Sequence, residues 1–289
     1  MRQEKIGFTS NGYKLAGVLT GPDDQKAGER RPGVLIMHGF GGHKDGPQQR
    51  WSSKQFADWG YVCMRFDFCG CGESEGEKGL VRPDIQIGDA LTAFAWMAAR
   101  NDVDPTRILM LGTSYGASVA VCAAAREPKI AAVIAQGGWG IGENMFRSLH
   151  NTPEKWAKYT KMIEDGATQA KATGKWPRAH RYDIVPIPEH LRANIDGPST
   201  FDFSVETAHA FRGFNPETEI GRAAPRPIML VHAAEDLVVP AEGSMELMRK
   251  AGKGTELYIF TGVDHFMFGE GEQRIAHVVK EWLDKYFPA

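Results

Sequence analysis

The chain has 289 residues, 42% of them hydrophobic and 24% charged, with a formal net charge of −2 at neutral pH. That length and composition suit one large α/β domain or two small ones, and the near-neutral charge gives no reason to expect nucleic acid or an anionic membrane as partner. No apolar run approaches the roughly 20 residues that span a bilayer.

The opening MRQEKIGFTSNG has no apolar stretch of signal-peptide length, and Cys63, Cys69, Cys71 and Cys122 form no disulfide framework, so a reducing cytoplasm is the expected setting. KIGFTSNGYKLAGVLTGP reads as two antiparallel strands around Asn11-Gly12, a strong hairpin turn signal. RPGVLIMHGF follows as a buried strand, then a helix near residues 49–59, then the strand YVCMRFDF. RPDIQIGDALTAFAWMAAR sets Ile87, Leu91, Phe94 and Ala98 on one helical face, with Pro83 suited to the first turn. RILMLGTSYGASVAVCAAA reads as a buried strand, a tight turn and a small-residue helix that can lie close to a sheet. The strand KIAAVIAQGG continues the alternation. From about Trp139 to Ala224 it stops: prolines, aromatics and charges alternate without strand-like runs, over a length too great for a plain loop. It resumes with RPIMLVHAAED, a helix over about 241–250, the strand TELYIF and a terminal helix. The expected architecture is a mostly parallel sheet with helices on both faces. Residues 1–138 and 225–289 form its core, and residues 139–224 are an inserted cap over the strand ends where ligands bind.

Ser114 sits between Gly112 and Gly116 in GTSYG, the arrangement that lifts a serine oxygen out at the top of a sheet. A serine hydroxyl needs a neighbouring base, best a histidine held in one tautomer by a carboxylate. Of nine histidines, His265 in TGVDHFMFGEG follows a strand and can return to the sheet edge. His232 reads as a packed strand residue, and His38 as a support for its loop. Asp236, at the end of IMLVHAAED, is the candidate carboxylate, with Glu235 and Asp264 as rivals. The order Ser114, Asp236, His265 is the one expected of the α/β-hydrolase fold. HGFGG, residues 38–42, follows an earlier strand, and the backbone N–H groups of Phe40 and Tyr115 are the candidate oxyanion donors. That loop lacks the Gly-Lys-Ser/Thr ending of a nucleotide-binding loop. Cys69-Gly-Cys71 has no accompanying ligand cluster, so neither a metal nor a cofactor is expected.

With these residues in view, the chain resembles the serine α/β-hydrolases, through HGFGG, FDFCGCGESEG, GTSYG, AAEDLVVP and VDHF. HGFGGHK and FDFCGCGESEG look like counterparts of loops in bacterial cinnamoyl (feruloyl) esterases. The resemblance implies Ser114 as nucleophile, His265 as base, Asp236 as its orienter, and Phe40 with Tyr115 as oxyanion donors. The expected activity is hydrolysis of small acyl or aryl carboxylic esters through an acyl-enzyme. A thioesterase, a small amidase or a C–C bond hydrolase would use the same triad, and a non-catalytic receptor would keep the fold without turnover. Trp139, Phe146, Phe201 and Phe203 are the candidate pocket residues for a small-molecule substrate. Arg178, His180 and Arg181 read as a solvated charged face, with contact to an anionic substrate as the alternative. A homo-oligomer is compatible with the sequence and not specified by it.

Overall fold

Alternate side chains of a strand point to opposite faces, so a run that is apolar throughout can be stable only if both faces are covered. The central strands of the computed structural model, which describes residues 1–195, 197–269 and 271–289, meet that condition. β3 (Arg31–Met37), β4 (Val62–Phe66), β6 (Ala132–Gln136) and β9 (Ile228–Ala233) are buried along almost all of their length, and β5 (Val103–Thr113) from Ile108 onward. On β3, Leu35 and Met37 join one apolar cluster, while Val34 and Ile36 join the other on the opposite face. β1 (Arg2–Ser10) and β2 (Tyr13–Gly21) form the expected hairpin at one edge, and β10 (Thr255–Phe260) closes the other. The order is β1-β2-β4-β3-β5-β6-β9-β10, antiparallel from β1 to β4 and parallel from there on.

α2 (Pro83–Ala98) and α3 (Tyr115–Arg126) cover one face; α1 (Pro47–Asp58) and α9 (Gln273–Tyr286) cover the other. Residues 115–124 of α3 are all buried, because a surface of alanine and glycine lets the helix axis approach the sheet closely. β3 has β4 on one side and β5 on the other. The chain thus leaves neighbouring strands β3 and β5 in opposite directions, which opens a crevice at their C-terminal ends.

Between β6 and β9 the chain forms α4 (Gly142–Leu149), α5 (Pro153–Thr173), β7 (Arg178–His180), α6 (Arg181–Ile184), β8 (Asp202–Ser204) and α7 (Val205–Arg212). β7 and β8 pair as a separate two-stranded ribbon, which corrects the expectation of no strand in this block. Three-residue strands are too short to leave a periodic signal. α5 is 21 residues long, and its limits follow local rules: the Thr152 hydroxyl accepts from the Lys155 N–H, Pro153 opens the first turn, and Gly174 ends the helix at φ +73°. Trp139, Phe146, Tyr159 and Phe211 from this block belong to the same apolar cluster as the sheet and α3.

α8 (Glu242–Lys250) lies between β9 and β10. Arg226, just before β9, ties the sheet to α3. Its guanidinium donates to the carbonyls of Ala124, Glu127, Ile130 and Ala223 at 2.6–3.0 Å, where the helix leaves carbonyls without partners and its dipole favours a cation. Arg226→Ala is expected to cost about 2 kcal/mol in urea unfolding, and Arg226→Lys to recover only part, since an ammonium cannot span four acceptors.

Candidate active site

Ser114 joins β5 to α3 at φ +56°, ψ −124°, a region where a side chain normally carries about 1–3 kcal/mol of strain. The turn is held by the Ser114 N–H, which donates to Gln136 O at 2.7 Å, and by the Ala117 N–H, which donates to Ser114 O at 2.9 Å. It closes only because its neighbours lack side chains. A Cβ on Gly112 would sit 2.1 Å from Gly116 O, and one on Gly116 would sit 2.6 Å from His38 O. Gly39 passes over the serine so closely that its Cβ would be 3.0 Å from Ser114 Cβ.

Asp236 leaves the C-terminal end of β9 and is buried. Its Oδ1 accepts from the Val238 and Val239 N–H groups, both at 2.8 Å. Its Oδ2 is 2.7 Å from His265 Nδ1 and 3.4 Å from His232 Nε2. Burial alone would raise this carboxyl's pKa; His265, His232 and the backbone donors outweigh burial and hold it well below the usual range. The rivals point elsewhere. Glu235 accepts from the Gly262 N–H at 3.3 Å, and Asp264 accepts from the Phe266 N–H at 2.7 Å within its own turn. His265 is buried, and its carbonyl is fixed by Gln136 Nε2 at 3.0 Å. His232 is packed in its strand as expected, but it also reaches the carboxylate. Its Nδ1 lies 2.6 Å from Ser244 Oγ and its Nε2 2.8 Å from Val239 O, so the Nε2–H faces both Val239 O and Asp236. The sequence signal for that contact, a histidine four residues before the acid, could have been read.

The loop 38–42 is knitted to the loop after β4. His38 Nδ1 donates to Gly39 O at 2.8 Å, and its Nε2 accepts from the Phe68 N–H at 3.2 Å. Burial lowers the His38 pKa to about 4, so the ring is a neutral brace at neutral pH. Buried Lys44 reaches Asp67 at 3.2 Å and Glu73 at 2.5 Å across the two loops. Among the described residues, neither the Phe40 N–H nor the Tyr115 N–H has a hydrogen-bond acceptor.

A cavity of about 280 Å³ opens above the serine, lined by Ser114, Phe40 and His265 from the sheet side and by Arg181, Val185 and Ile187 from the block between β6 and β9. Trp139, Phe146, Phe201 and Phe203 do not line it, and the expectation for them is corrected. Trp139 stacks on Tyr115 at 5.9 Å between ring centroids and Phe146 on Tyr159 at 5.3 Å, and Phe203 lies tilted against Phe40 at 4.3 Å. Phe201 packs toward His180 and Tyr182. Trp139 and Phe203 thus fill the seam between the inserted block and the sheet layer, and Phe146 and Phe201 pack within the block, where large apolar area is best removed from water. The wall is made instead by ordinary branched residues, which carry no sequence signal of their own.

Arg181 is a second correction, because its side chain is not solvated but 5% exposed. One Nη donates to Phe40 O at 2.6 Å and the other to Thr200 O at 3.2 Å. Its guanidinium lies 5.4 Å from the centre of the Phe40 ring. The Thr200 N–H donates to Gly41 O at 2.8 Å, so the inserted block grips the 38–42 loop at two successive carbonyls.

Cys69 and Cys71 are buried, and burial pushes their thiols up to about 11 and about 12. A protonated, enclosed thiol is a poor nucleophile and a poor ligand. Among the described residues no group of three or more His, Cys, Asp or Glu side chains could hold a metal, and no helix is long and apolar enough to cross a membrane.

A family model described as X-Pro dipeptidyl-peptidase (S15 family) matches residues 11–266. An uncharacterized 31.7 kDa protein of Escherichia coli is 26% identical over 275 residues, covering 89% of this chain and 92% of that one. A relative named polyketide transferase grgF, from a Penicillium species, is 25% identical over 92% of this chain and 91% of its own. The solved α/β-hydrolase GrgF superposes with a TM-score of 0.80 at 21% identity, covering 99% of both chains. Est1E of Butyrivibrio proteoclasticus, solved with ferulic acid bound, superposes with a TM-score of 0.70 at 20% identity, covering 98% of this chain and all of its own. The fold is that of the α/β-hydrolases.

Two tests follow from the geometry. Asp236 has a folded-state pKa below the unfolded carboxyl value of about 3.9, so its stabilisation is full above that pH and is lost as the pH falls through the folded value. Asp236→Asn is therefore expected to lose about 1–3 kcal/mol at pH 7 and progressively less below pH 4, read by urea unfolding across the range. Iodoacetamide at pH 8 is expected to leave all four buried cysteines unlabelled in the folded protein and to label them in denaturant, by intact mass.

Proposed function

The chain belongs to the X-Pro dipeptidyl-peptidase (S15) family, and we propose that it is a serine hydrolase of carboxylic esters, working through an acyl-enzyme on Ser114. One observation carries the reading. A serine held at φ +56° shares a cavity with a histidine whose Nδ1 is bound by a buried carboxylate, which leaves Nε2 as the basic atom.

Ser114 Oγ attacks the ester carbonyl as His265 Nε2 takes its proton. Asp236 keeps the imidazole in the tautomer with Nδ1–H and stabilises the imidazolium that forms. The carbonyl oxygen, now negative, accepts from the Phe40 and Tyr115 N–H groups, each worth roughly 2.7–4 kcal/mol in the transition state. His265 then gives its proton to the leaving alcohol oxygen. Water, deprotonated by the same histidine, releases the acid and restores Ser114. Residues 1–138 and 225–289 supply this machinery, and residues 139–224 act as the cap that closes the cavity. The four free thiols agree with a reducing, cytoplasmic setting.

Esters are favoured over X-Pro dipeptides by the charge of the site. Arg181 lines the cavity, and its like charge opposes a dipeptide's free ammonium. The ferulic acid in Est1E supports an aryl or small acyl group as the part bound. The relative named as a polyketide transferase supports a second reading, in which an alcohol or thiol rather than water takes the acyl group from Ser114.

Chromogenic acyl esters from acetyl to octanoyl, with a cinnamoyl ester alongside, are the first substrates to offer. Turnover of many equivalents is expected, falling at least about 10⁴-fold in Ser114→Ala and by a similar order in Asp236→Asn, with folding retained by thermal melt. Wild-type rates in Ser114→Ala would remove the nucleophile assignment, and ester or thioester products with an added acceptor would favour transfer over hydrolysis.

A further inference from the structure

We propose that Arg181 is the recognition residue for an anionic group, a carboxylate on the substrate, so that the site prefers acid-bearing esters to neutral ones of the same shape. The inference rests on the reading of the cavity as a substrate site. It stands on what surrounds the guanidinium rather than on the catalytic residues.

A desolvated cation is costly unless an anion accompanies it, by several kcal/mol. Arg181 is 5% exposed, yet among the described residues no carboxylate lies within ion-pair distance of it. Its recorded acceptors are two neutral carbonyls, those of Phe40 and Thr200, and its Nε has no hydrogen-bond partner. Two of five N–H bonds are thus used, and both leave the charge in place. Arg65, the other buried arginine among the described residues, is treated differently and pairs with Asp45. Burial lowers the Arg181 pKa to about 10, which leaves it charged at neutral pH.

The charge faces the cavity that Ser114 and His265 share, and the described lining adds no carboxylate that would oppose an incoming anion. A low-dielectric cleft carrying one uncompensated sign concentrates ligands of the other sign. The wall therefore offers a cation among apolar residues such as Val185 and Ile187. That combination suits an acyl chain ending in a carboxylate better than a plain alkyl chain. A planar guanidinium beside a carboxylate typically adds on the order of tenfold or more in affinity.

The test measures binding, so it does not depend on turnover. Monoethyl adipate and diethyl adipate, which differ by one charge, are titrated calorimetrically into the Ser114→Ala protein. The acid-bearing ester is expected to bind at least about tenfold tighter, and the preference to weaken at high salt. Adding Arg181→Gln should abolish the preference, and Arg181→Lys should keep part of it, with thermal melts confirming that each variant folds. Equal affinities, no binding of either ester, or a preference that survives Arg181→Gln would overturn the proposal. Because Ser114→Ala is inert by design, failure here is separate from failure of the esterase reading, which wild-type turnover decides.

Discussion

The structure depends on a backbone meeting. Three segments with no side chains to spare, Gly39 after β3, Gly112 at the end of β5 and Gly116 in the first turn of α3, converge within van der Waals distance around Ser114. Their approach forces the serine to φ +56°, and the strain is tolerable because β5 and α3 are buried and fix both ends of the turn. Phe40 follows Gly39 and Tyr115 follows Ser114, so the two proposed oxyanion donors are chain neighbours of this convergence. The proposed nucleophile and the proposed oxyanion donors thus share a single packing constraint. A larger residue at any of the three glycines would disturb all of them together.

The acid–base half of the site is built on a different principle, the satisfaction of a buried carboxylate. Asp236 accepts from two backbone N–H groups and lies against two imidazoles, so its charge is held by four donors before any substrate arrives. His232 is itself locked between Ser244 and Val239, and it steers Asp236 from behind as His265 is steered in front. Such over-determination keeps the acid in one rotamer and gives His265 one orientation. The acid is also where stability and chemistry share a residue.

The sheet and the candidate triad were legible in the sequence for physical reasons that differ. Buried strands such as GVLIM and ILMLG announce themselves because both faces are apolar, and GTSYG because glycine spacing is a backbone requirement. Asp236 and His265 were legible only through their places after strands, since nothing local marks an aspartate as buried. The ribbon of β7 and β8 was invisible at three residues per strand. α5 carried clear end signals, Thr152-Pro153 and Gly174, but its interior is too polar to show an apolar face, with Tyr159, Ile163 and Gly166 its only buried residues. The pocket aromatics failed because aromaticity marks burial, and burial here serves the seam under the inserted block rather than the cavity wall.

Arg181 shows why the substrate wall resists reading from sequence and why it matters. In RAHRYD it looks like one charge among several on an exposed turn, and Arg178 and His180 beside it are indeed exposed. Arg181 differs because the fold turns it inward, onto the Phe40 carbonyl and beside the Phe40 ring. Arg181, the proposed recognition residue, thus binds the carbonyl of Phe40, whose N–H is the proposed oxyanion donor, and the Thr200 N–H closes the adjacent Gly41 carbonyl. In the proposed reading, substrate selection and transition-state stabilisation thus meet at one residue of the 38–42 loop, through its two flanking peptides. On the proposed reading, an anion drawn to Arg181 acts on a side chain that also holds the Phe40 carbonyl, so recognition of an acid-bearing ester and the position of the 38–42 loop depend on the same guanidinium.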